Sequence, residues 1–416
     1  MSLAIIGYGA ASVNAIIALR TQGYTGAIQV FSNANTRPYS PVMTGYYAGG
    51  TKTYEECFPW TEEELAQLNV EVHENEAVEL LDVEAKTVIT AKGSYCFEKC
   101  LVASGATPRT AEFPAGGGAP HLVLRTLEDA EALKNVLTNP ECDRVLVSGA
   151  SMIALRAVDA CLSRGVQVTL LARKEHILAK TALPETAAAF EHVLENAGVE
   201  LRLEQVIEAL EPAGETGELT RVSFSNGDVE DFSAIIIAQG VEPNLSFVPE
   251  AALERSVGLV VDDYMRTSNP DVYAAGDVAQ TQLAPYASGK LGTRIAGLWK
   301  DACVQGACAG RTMAADLAGV TPPANARYAG AFPNNTIIVA GAVMFSAGSV
   351  RMNEQRWADI EQLDSCIRAV VYEQDPQTGS AKMVGYNVFA PCAEPFENDA
   401  YEIASMLFRR MTGALV

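Results

Sequence analysis

The feature that most constrains the fold is a short apolar strand that runs into a glycine turn and then into a helix. Residues Ala4–Ser12 read AIIGYGAAS, and a helical run continues from there to Arg20. Gly7 and Gly9 permit a tight bend and let the backbone approach a ligand closely. The first amides of the helix and its dipole favour a phosphate group at this point. The pattern predicts a βαβ unit that binds a pyrophosphate, with Ser12 in the place of the third glycine.

The same order of strand, turn, helix and strand occurs a second time along the chain. Arg144–Ser148 is a predicted strand, Gly149 opens the turn, and Gln167–Leu171 is the next predicted strand. Ser151 and Ala154 stand at the other two glycine positions of this turn. The repeat is a stronger argument than either turn alone for two dinucleotide-binding units in an α/β fold.

Length and charge exclude several classes of partner. A chain of 416 residues is too long for one core and predicts two or three domains. A formal net charge of -21 argues against nucleic acid or an anionic membrane as a partner. No apolar run approaches the length of a membrane span, and the chain begins directly with a strand. We therefore expect a cytoplasmic protein.

The nine cysteines are scattered and predict no disulfide framework. Cys96 and Cys100 are close in sequence, but both lie in a predicted strand. Four residues of strand span roughly 13 Å, which is too far for a disulfide. We therefore expect reduced, mostly buried thiols and no metal site.

Both nucleotide units lack the carboxylate that usually holds a ribose after their second strand. Ser32 and Asn33 follow the second strand of the first unit, and these polar groups are still able to hydrogen-bond a ribose. In the second unit the positions are Ala172, Arg173 and Lys174. Cations without a carboxylate favour a 2′-phosphate, and therefore NADPH over NADH. The alternative is a solvated loop beside a site that binds the nucleotide weakly or not at all.

Four segments resemble motifs of the FAD-dependent pyridine nucleotide-disulfide oxidoreductase superfamily. Pro38–Pro41 is similar to the Pro-Tyr loop that approaches the isoalloxazine ring, and Leu101–Arg109 resembles the crossover from the flavin domain to the nucleotide domain. Ser233–Asn244 resembles the crossover back. Thr267–Val278 resembles the motif whose aspartate accepts hydrogen bonds from the flavin ribityl chain, although Asp277 also suits a helix N-cap. The likeness is strongest to ferredoxin, rubredoxin and nitrite reductase-type flavoproteins and NADH oxidases.

This resemblance implies two nested Rossmann-like domains, for FAD and NAD(P), followed by a C-terminal α+β domain. The expected boundaries are 1–112 with 241–326 for the FAD domain, 113–240 for the NAD(P) domain and 327–416 for the C-terminal domain. The last domain is a possible homodimer interface, with predicted strands at 336–340, 367–372 and 382–388 and a final helix at 399–410. A helix over 297–310 is expected to begin near the flavin pyrimidine.

The resemblance and the two turns together imply a set of cofactor-binding residues. These are Gly7, Gly9, Ala10, Ala11, Ser32, Asn33, Arg37, Pro38, Ser104, Gly105, Arg109, Gly149, Ser151, Met152, Arg173, Gly240, Gly276 and Asp277. Tyr39, Thr44 and Gly45 are expected near the isoalloxazine, and no catalytic side chain is required because the flavin supplies the reactivity. Gly45 stands near where the ferredoxin reductase branch commonly has a lysine. Arg156 stands where many relatives have a glutamate near the nicotinamide.

The missing cysteines separate this chain from the disulfide reductases of the superfamily. Residues 37–50 contain no cysteine, Cys57 lies too far along the chain, and no histidine follows His192. Thiol-disulfide chemistry is therefore not expected.

The predicted function is transfer of hydride from NADH or NADPH to FAD and of electrons onward to a second acceptor. The acceptor is a ferredoxin- or rubredoxin-type protein, a quinone or another small molecule. An acidic protein acceptor requires a basic patch, for which the candidates are Arg351, Arg356, Arg368, Arg409 and Arg410. The alternatives are an NAD(P)H oxidase that uses oxygen, or an FAD-binding electron-transfer subunit whose nucleotide site is degenerate.

Overall fold

The computed structural model describes residues 2–110, 114, 116–282, 293–374 and 379–392. The α-helices in these ranges are α1 Ala10–Thr21, α2 Thr44–Gly49, α3 Glu62–Gln67, α4 Leu127–Leu137, α5 Met152–Ser163, α6 Pro184–Asn196 and α7 Trp299–Ala318. Short 3₁₀ turns lie at Glu55–Cys57 and Ala324–Ala326. None of these helices combines the length and apolar character that a bilayer crossing requires.

The strands fall into several sheets. The first fifteen are β1 Ser2–Ile6, β2 Ile28–Phe31, β3 Glu71–His73, β4 Val78–Asp82, β5 Thr87–Thr90, β6 Gly93–Val102, β7 Ala106–Pro108, β8 His121–Leu122, β9 Arg144–Ser148, β10 Gln167–Leu171, β11 Glu200–Arg202, β12 Ile207–Ala213, β13 Leu219–Phe224, β14 Val229–Phe232 and β15 Ala234–Ile237. The others are β16 Val241–Pro243, β17 Leu259–Val260, β18 Val272–Ala274, β19 Ala279–Gln282, β20 Thr293–Arg294, β21 Asn334–Val339, β22 Ala342–Gly348, β23 Arg356–Gln362, β24 Ile367–Gln374 and β25 Ala381–Ala390.

The first sheet holds the glycine turn that opens the chain. Strands β3, β2, β1 and β6 are parallel in that order, and β18 joins the other side of β6, also in parallel. The first half of the ten-residue strand β6 pairs antiparallel with β5, which pairs with β4. The central strands are almost entirely buried, as expected for parallel strands covered on both faces.

The second sheet repeats this arrangement. Its order is β11, β10, β9, β15 and β8, and every neighbouring pair is parallel. The glycine turn follows the central strand β9, just as the first turn follows β1. The predicted α/β fold with two Rossmann-like units is therefore confirmed.

The two predicted crossovers lie side by side. Strand β7 pairs antiparallel with β16, so that Ala106 faces Pro243. The side chain of Ser104 donates to the carbonyl oxygen of Asn244 at 2.7 Å, and the Asn244 amide donates back to the Ser104 carbonyl at 2.9 Å. The chain thus leaves and re-enters the first unit through one paired connection. The exact domain boundaries stay a prediction.

The C-terminal sheet is antiparallel, with the order β21, β22, β25, β24 and β23. Three of these strands were predicted from the sequence, whereas β22 and β23 were not. Strand β22 is rich in small residues, and β23 is a largely exposed edge strand without an apolar face, so neither gives a clear strand pattern. The predicted helix at 399–410 lies outside the described residues.

Predicted elements of the two nucleotide units agree with the structure apart from their ends. Helix α1 begins at Ala10, three residues before the predicted helical run, and α7 continues to Ala318.

Cys96 and Cys100 lie in one strand, as expected, and each of the nine cysteines is a free thiol. The Thr126 side chain caps α4 in a capping box with Asp129.

Helices α1 and α7 cross at close distance because two glycines of α7 face α1. A methyl group on Gly306 would overlap the backbone oxygen of Ala11, and one on Gly310 would overlap the oxygen of Ala15. Gly306 and Gly310 are one helical turn apart, so they form a continuous contact strip. This contact fixes the first half of α1 against the middle of α7.

Gly306→Ala is expected to lower the free energy of unfolding by about 1–3 kcal/mol, the usual cost of overpacking a core. Alanine normally gains about 1 kcal/mol over glycine within a helix, so a loss would show that the clash dominates. Chemical denaturation measures the change. Val304→Ala, on the exposed side of the same helix, is the control, with an expected change within about 0.5 kcal/mol. Equal stability of Gly306→Ala and the parent would contradict the tight crossing.

Candidate functional site

The backbone of the first glycine turn is fixed by contacts with Ala103 and with Ser12. Gly7 has a φ of +99°, and a side chain there would overlap the carbonyl oxygen of Ala103 at the end of β6. Ser12, at the third glycine position, is fully buried and donates its hydroxyl to the Gly7 carbonyl oxygen at 2.7 Å. The serine therefore stabilises the turn instead of blocking it.

The start of α1 is buried but has no side-chain cap in the described part of the chain. Its N-cap is Gly9, and Ala10, Ala11 and Ser12 of the first turn are all buried. Helices α3 and α4, by contrast, carry full capping boxes. Space beside Gly9 is open, since a side chain there would meet no atom within 4 Å. Buried, uncapped amides require an acceptor, and the pyrophosphate of FAD fits this need.

The Gly-Asp motif at Gly276 and Asp277 lies beside this helix start. Gly276, with a φ of +82°, donates its amide to the side-chain oxygen of Gln305 in α7 at 2.8 Å. A side chain on Gly276 would lie in contact with Ala11 of α1 and Ala302 of α7. Strand β19 follows the motif, so Asp277 does not cap a helix. The structure thus brings the first turn, the motif and the start of α7 together.

Asp277 forms an ion pair with Arg125 that was not predicted from the sequence. The two side chains meet at 2.7 Å and are 15% and 28% exposed. The guanidinium also lies 3.8 Å from the position that a side chain on Gly105 would take. An arginine directly before the Thr126 cap gives no sequence signal for a contact 152 positions away. Arg125 is therefore a candidate cofactor-binding residue that only the fold identifies.

The loop expected to face the isoalloxazine packs against α4. Burial, followed by the nearby charge of Glu128, raises the pKa of Tyr39 to about 12. Thr44 is 2% exposed and donates to the Pro41 carbonyl oxygen at 2.8 Å. Pro38 is buried as well, and Tyr39 packs against the core that includes α4.

The predicted FAD contacts outside the glycine turn and the Gly-Asp motif differ in burial and in their bonding partners. Ser32 is buried and accepts from the Ala34 amide at 3.2 Å, whereas Asn33 is exposed. Arg37 forms an ion pair with Glu55, and its guanidinium lies 4.0 Å from the centre of the Phe58 ring. The exposed Arg109 bonds through its backbone to Gly240 on the paired crossovers. The roles of these residues stay predictions.

A cavity of about 460 Å³ opens at the second glycine turn, within the size range of ligand sites. Its lining includes the predicted residues Gly149, Ser151, Met152, Arg173 and Gly240. Lys174, Lys180 and His176 also line it; the last two were not predicted. His176 faces Glu191 at 3.1 Å, while Arg173, Lys174 and Lys180 are exposed. The cavity therefore has a positively charged end.

The substitutions in the second turn leave its geometry intact. Gly149 has a φ of +132°, and a side chain there would overlap the Ala238 carbonyl oxygen, as at Gly7. Ser151 is exposed, and its hydroxyl accepts from the Ala154 amide at 3.5 Å as the N-cap of α5. Ala154 is fully buried. Ser151 therefore caps the helix and does not fill the cavity.

The expected basic patch is not present among the described candidates. Arg356 pairs with Glu373 at 3.0 Å, and Arg368 pairs with Glu361 across the same sheet. Their charges are neutralised because alternating residues on neighbouring strands place acid beside base. Arg351 is exposed, and Arg409 and Arg410 lie outside the described residues. Nowhere in the described ranges do three His, Cys, Asp or Glu side chains gather to hold a metal ion.

Comparisons with known proteins agree with this geometry. A family model described as pyridine nucleotide-disulphide oxidoreductase matches residues 1–306. A rubredoxin-NAD(+) reductase of Pseudomonas putida is 31% identical over 67% of this chain and 72% of its own length. The epsilon subunit of an NADH-dependent phenylglyoxylate dehydrogenase of Aromatoleum evansii is 29% identical over 84% of this chain and 80% of its own. A solved structure of an engineered water-forming NADPH oxidase bound to NADPH has the same fold, with a TM-score of 0.85 at 20% identity, covering 99% of this chain and 91% of that chain.

Proposed function

Because the chain belongs to the pyridine nucleotide-disulphide oxidoreductase family, we propose that it passes electrons from NADPH through FAD to a small redox protein. It is an FAD-dependent NAD(P)H oxidoreductase. The observation that carries the proposal is the pair of glycine turns, one beside a buried uncapped helix start and the other beside a cationic cavity. FAD, when bound, supplies the hydride-accepting chemistry.

The side chains of this protein then bind and orient the two cofactors. The first amides of α1 would hold the FAD pyrophosphate, and Asp277 would accept hydrogen bonds from the ribityl hydroxyls. Arg125 balances the charge of Asp277. The amides after Gly149 would hold the nicotinamide nucleotide at the second turn, where Ser151 lines the cavity.

The charge of the second cavity supports NADPH over NADH. Ala172 takes the place of the ribose-binding carboxylate, and Arg173, Lys174 and Lys180 line the cavity. The engineered NADPH oxidase carries aspartate-to-alanine and alanine-to-arginine substitutions at consecutive positions. Ala172 and Arg173 present the same two residue types in the same order. Three cations that line one cavity favour a dianionic 2′-phosphate there.

The names of the relatives support a protein acceptor. The Pseudomonas putida relative is named for rubredoxin, and the Aromatoleum evansii relative is a subunit of a larger dehydrogenase. Because Arg356 and Arg368 are paired with carboxylates, we do not assign the docking surface to the C-terminal sheet.

Anaerobic titration of the FAD-loaded protein tests the proposal. NADPH is expected to bleach the flavin absorbance at near-stoichiometric amounts, and NADH is expected to need at least ten times more. Reduced protein is then mixed with rubredoxin, ferredoxin, a quinone or oxygen, and reoxidation is followed by absorbance. Fast reoxidation by rubredoxin or ferredoxin alone is the expected result.

Three results would change the assignment. If neither nucleotide bleaches the flavin, the hydride donor is wrong and the chain is an electron-transfer subunit. If oxygen or a quinone reoxidises the flavin fastest, the acceptor is a small molecule. Protein that cannot be reconstituted with FAD would contradict the whole assignment.

A further inference from the structure

The cationic end of the second cavity is formed by one loop, which joins β10 to α6. Arg173 and Lys174 stand at the beginning of this loop and Lys180 stands near its end. All three side chains are exposed and all three line the cavity. The cations of the two arms meet at one phosphate only if the backbone between them has a fixed shape.

The middle of the loop is buried and strained. Ile177 and Leu178 are 0% and 3% exposed. Leu178 has a φ of +52°, in the left-handed region that a leucine rarely adopts. Its amide donates to the carbonyl oxygen of Ala150, in the second glycine turn, at 2.9 Å. A strained residue of this kind persists only where the surrounding contacts determine its conformation.

A buried carboxylate of α6 supplies a second contact to this part of the loop. Glu191 is 8% exposed, and one of its oxygens accepts from the Ile177 amide at 2.8 Å. Its other oxygen lies 3.1 Å from Nδ1 of His176, whose side chain lines the cavity. A buried carboxylate requires hydrogen-bond donors, and both of these donors belong to the loop. Glu191 therefore holds the loop to α6.

The start of α6 is in turn anchored to the C-terminal sheet. Asn387 of β25 is fully buried, and its side-chain oxygen accepts from the Leu183 amide at 2.8 Å and from the Thr186 hydroxyl at 2.5 Å. Its side-chain nitrogen donates to the Phe345 carbonyl oxygen at 2.9 Å. Helix α6 is thus a fixed support, and Glu191 is the polar link from this support to the loop.

We propose that Glu191 is a positioning residue for recognition of the nucleotide 2′-phosphate. It fixes the backbone of the loop, so that Arg173 and Lys174 on one arm and Lys180 on the other act on the same group. The inference rests on the proposed function, since it requires that the cavity binds an adenine nucleotide with a 2′-phosphate. The charge of a carboxylate disfavours an anionic ligand nearby. Any gain in phosphate affinity from Glu191 therefore comes from the shape of the loop.

Calorimetric titration of the FAD-loaded protein with adenosine 2′,5′-bisphosphate and with 5′-AMP tests the proposal. The two ligands differ only in the 2′-phosphate, so the ratio of their dissociation constants reports its recognition. We expect the parent to bind the bisphosphate at least about tenfold more tightly. Glu191→Leu leaves the Ile177 amide without its acceptor, and we expect the ratio to fall by about five- to tenfold, with 5′-AMP affinity within about threefold of the parent.

Two further measurements separate position from charge. Glu191→Gln keeps an acceptor oxygen for the Ile177 amide and removes the charge, so the ratio is expected to stay at the parent value or to rise. Hydrogen exchange of the amides in 173–182, measured without nucleotide, is expected to be about tenfold faster in Glu191→Leu than in the parent. In Glu191→Gln the exchange of these amides is expected to match the parent.

Thr186→Val is the matched control, because Thr186 is a buried residue of the same helix that does not line the cavity. It loses the bond to Asn387, so we expect lower stability with the parent ratio. A parent-like ratio in Glu191→Leu would overturn the proposal, and so would an equal fall in the Leu and Gln variants or in the Leu variant and the control.

The same data separate this inference from the assignment of NADPH. A parent that does not prefer the bisphosphate would contradict the NADPH assignment and this inference with it. A parent that prefers it, together with an unchanged ratio in Glu191→Leu, would overturn this inference alone. If Glu191→Leu does not fold, Glu191→Asp decides, because it keeps the charge and shortens the side chain. A lower ratio with faster loop exchange in that variant would support the proposal, and parent-like values would overturn it.

Discussion

Asp277→Ala is expected to abolish FAD retention during purification and to weaken FAD binding by about 30- to 1000-fold. The variant loses an anionic acceptor for ligand hydroxyls and leaves Arg125 without its partner in a partly buried place. These two losses together amount to about 2–4 kcal/mol. Fluorescence quenching of FAD during reconstitution of the apoprotein measures the dissociation constant, and the ratio of flavin to protein absorbance gives the occupancy.

Asp271→Ala is the matched control, because Asp271 stands just before the same strand β18 and is also paired. Its carboxylate holds Lys99 at 2.7 Å and Lys86 at the opposite end of the strand from Gly276. This variant is expected to lose some stability and to bind FAD as the parent does. Parent-like FAD affinity in Asp277→Ala, or equal weakening in both variants, would show that Asp277 does not contact the cofactor.

The same ion pair predicts that Arg125→Ala weakens FAD binding less than Asp277→Ala does. The remaining aspartate keeps its acceptor oxygens for the ligand, whereas the remaining arginine of Asp277→Ala offers the hydroxyls only a donor. The order of the two dissociation constants therefore reports which partner of the pair faces the ligand.

The parts of the fold that follow from local chemistry were predictable from the sequence. A buried strand followed by a glycine at positive φ has few alternatives, so Gly7 and Gly149 located both turns correctly. The two sheets and their shared strand order follow from this repeat. Strand β23 was missed because an exposed edge strand carries no apolar alternation to detect.

The electrostatic partners could not be predicted, because they depend on which elements the fold brings together. Arg125 and Asp277 are separated by 152 positions, and neither sequence neighbourhood encodes the other. Gly45 and Arg156 give a similar case: each was read as the loss of an expected side chain, and only the structure shows one filling the volume of the other. Arg356 and Arg368 of the C-terminal sheet were candidates for a basic patch. In the structure they form ion pairs with Glu373 and Glu361, respectively.

Exchange of the nucleotide preference is the second large effect that we expect. Arg173→Ala is predicted to lower kcat/KM for NADPH by about 10- to 100-fold and to change the value for NADH less than threefold, because a charge-assisted bond to the 2′-phosphate contributes about 1.5–3 kcal/mol. Adding Ala172→Asp places a carboxylate where a ribose hydroxyl is expected, and the double variant is predicted to prefer NADH.

Arg221→Ala is the control, since Arg221 is an exposed arginine of the same unit that pairs with Asp231 outside the cavity. Steady-state kinetics with both nucleotides and one saturating acceptor measures the ratio; an unchanged NADPH-to-NADH ratio in the Arg173 variant would mean that the cationic end of the cavity does not face the ribose.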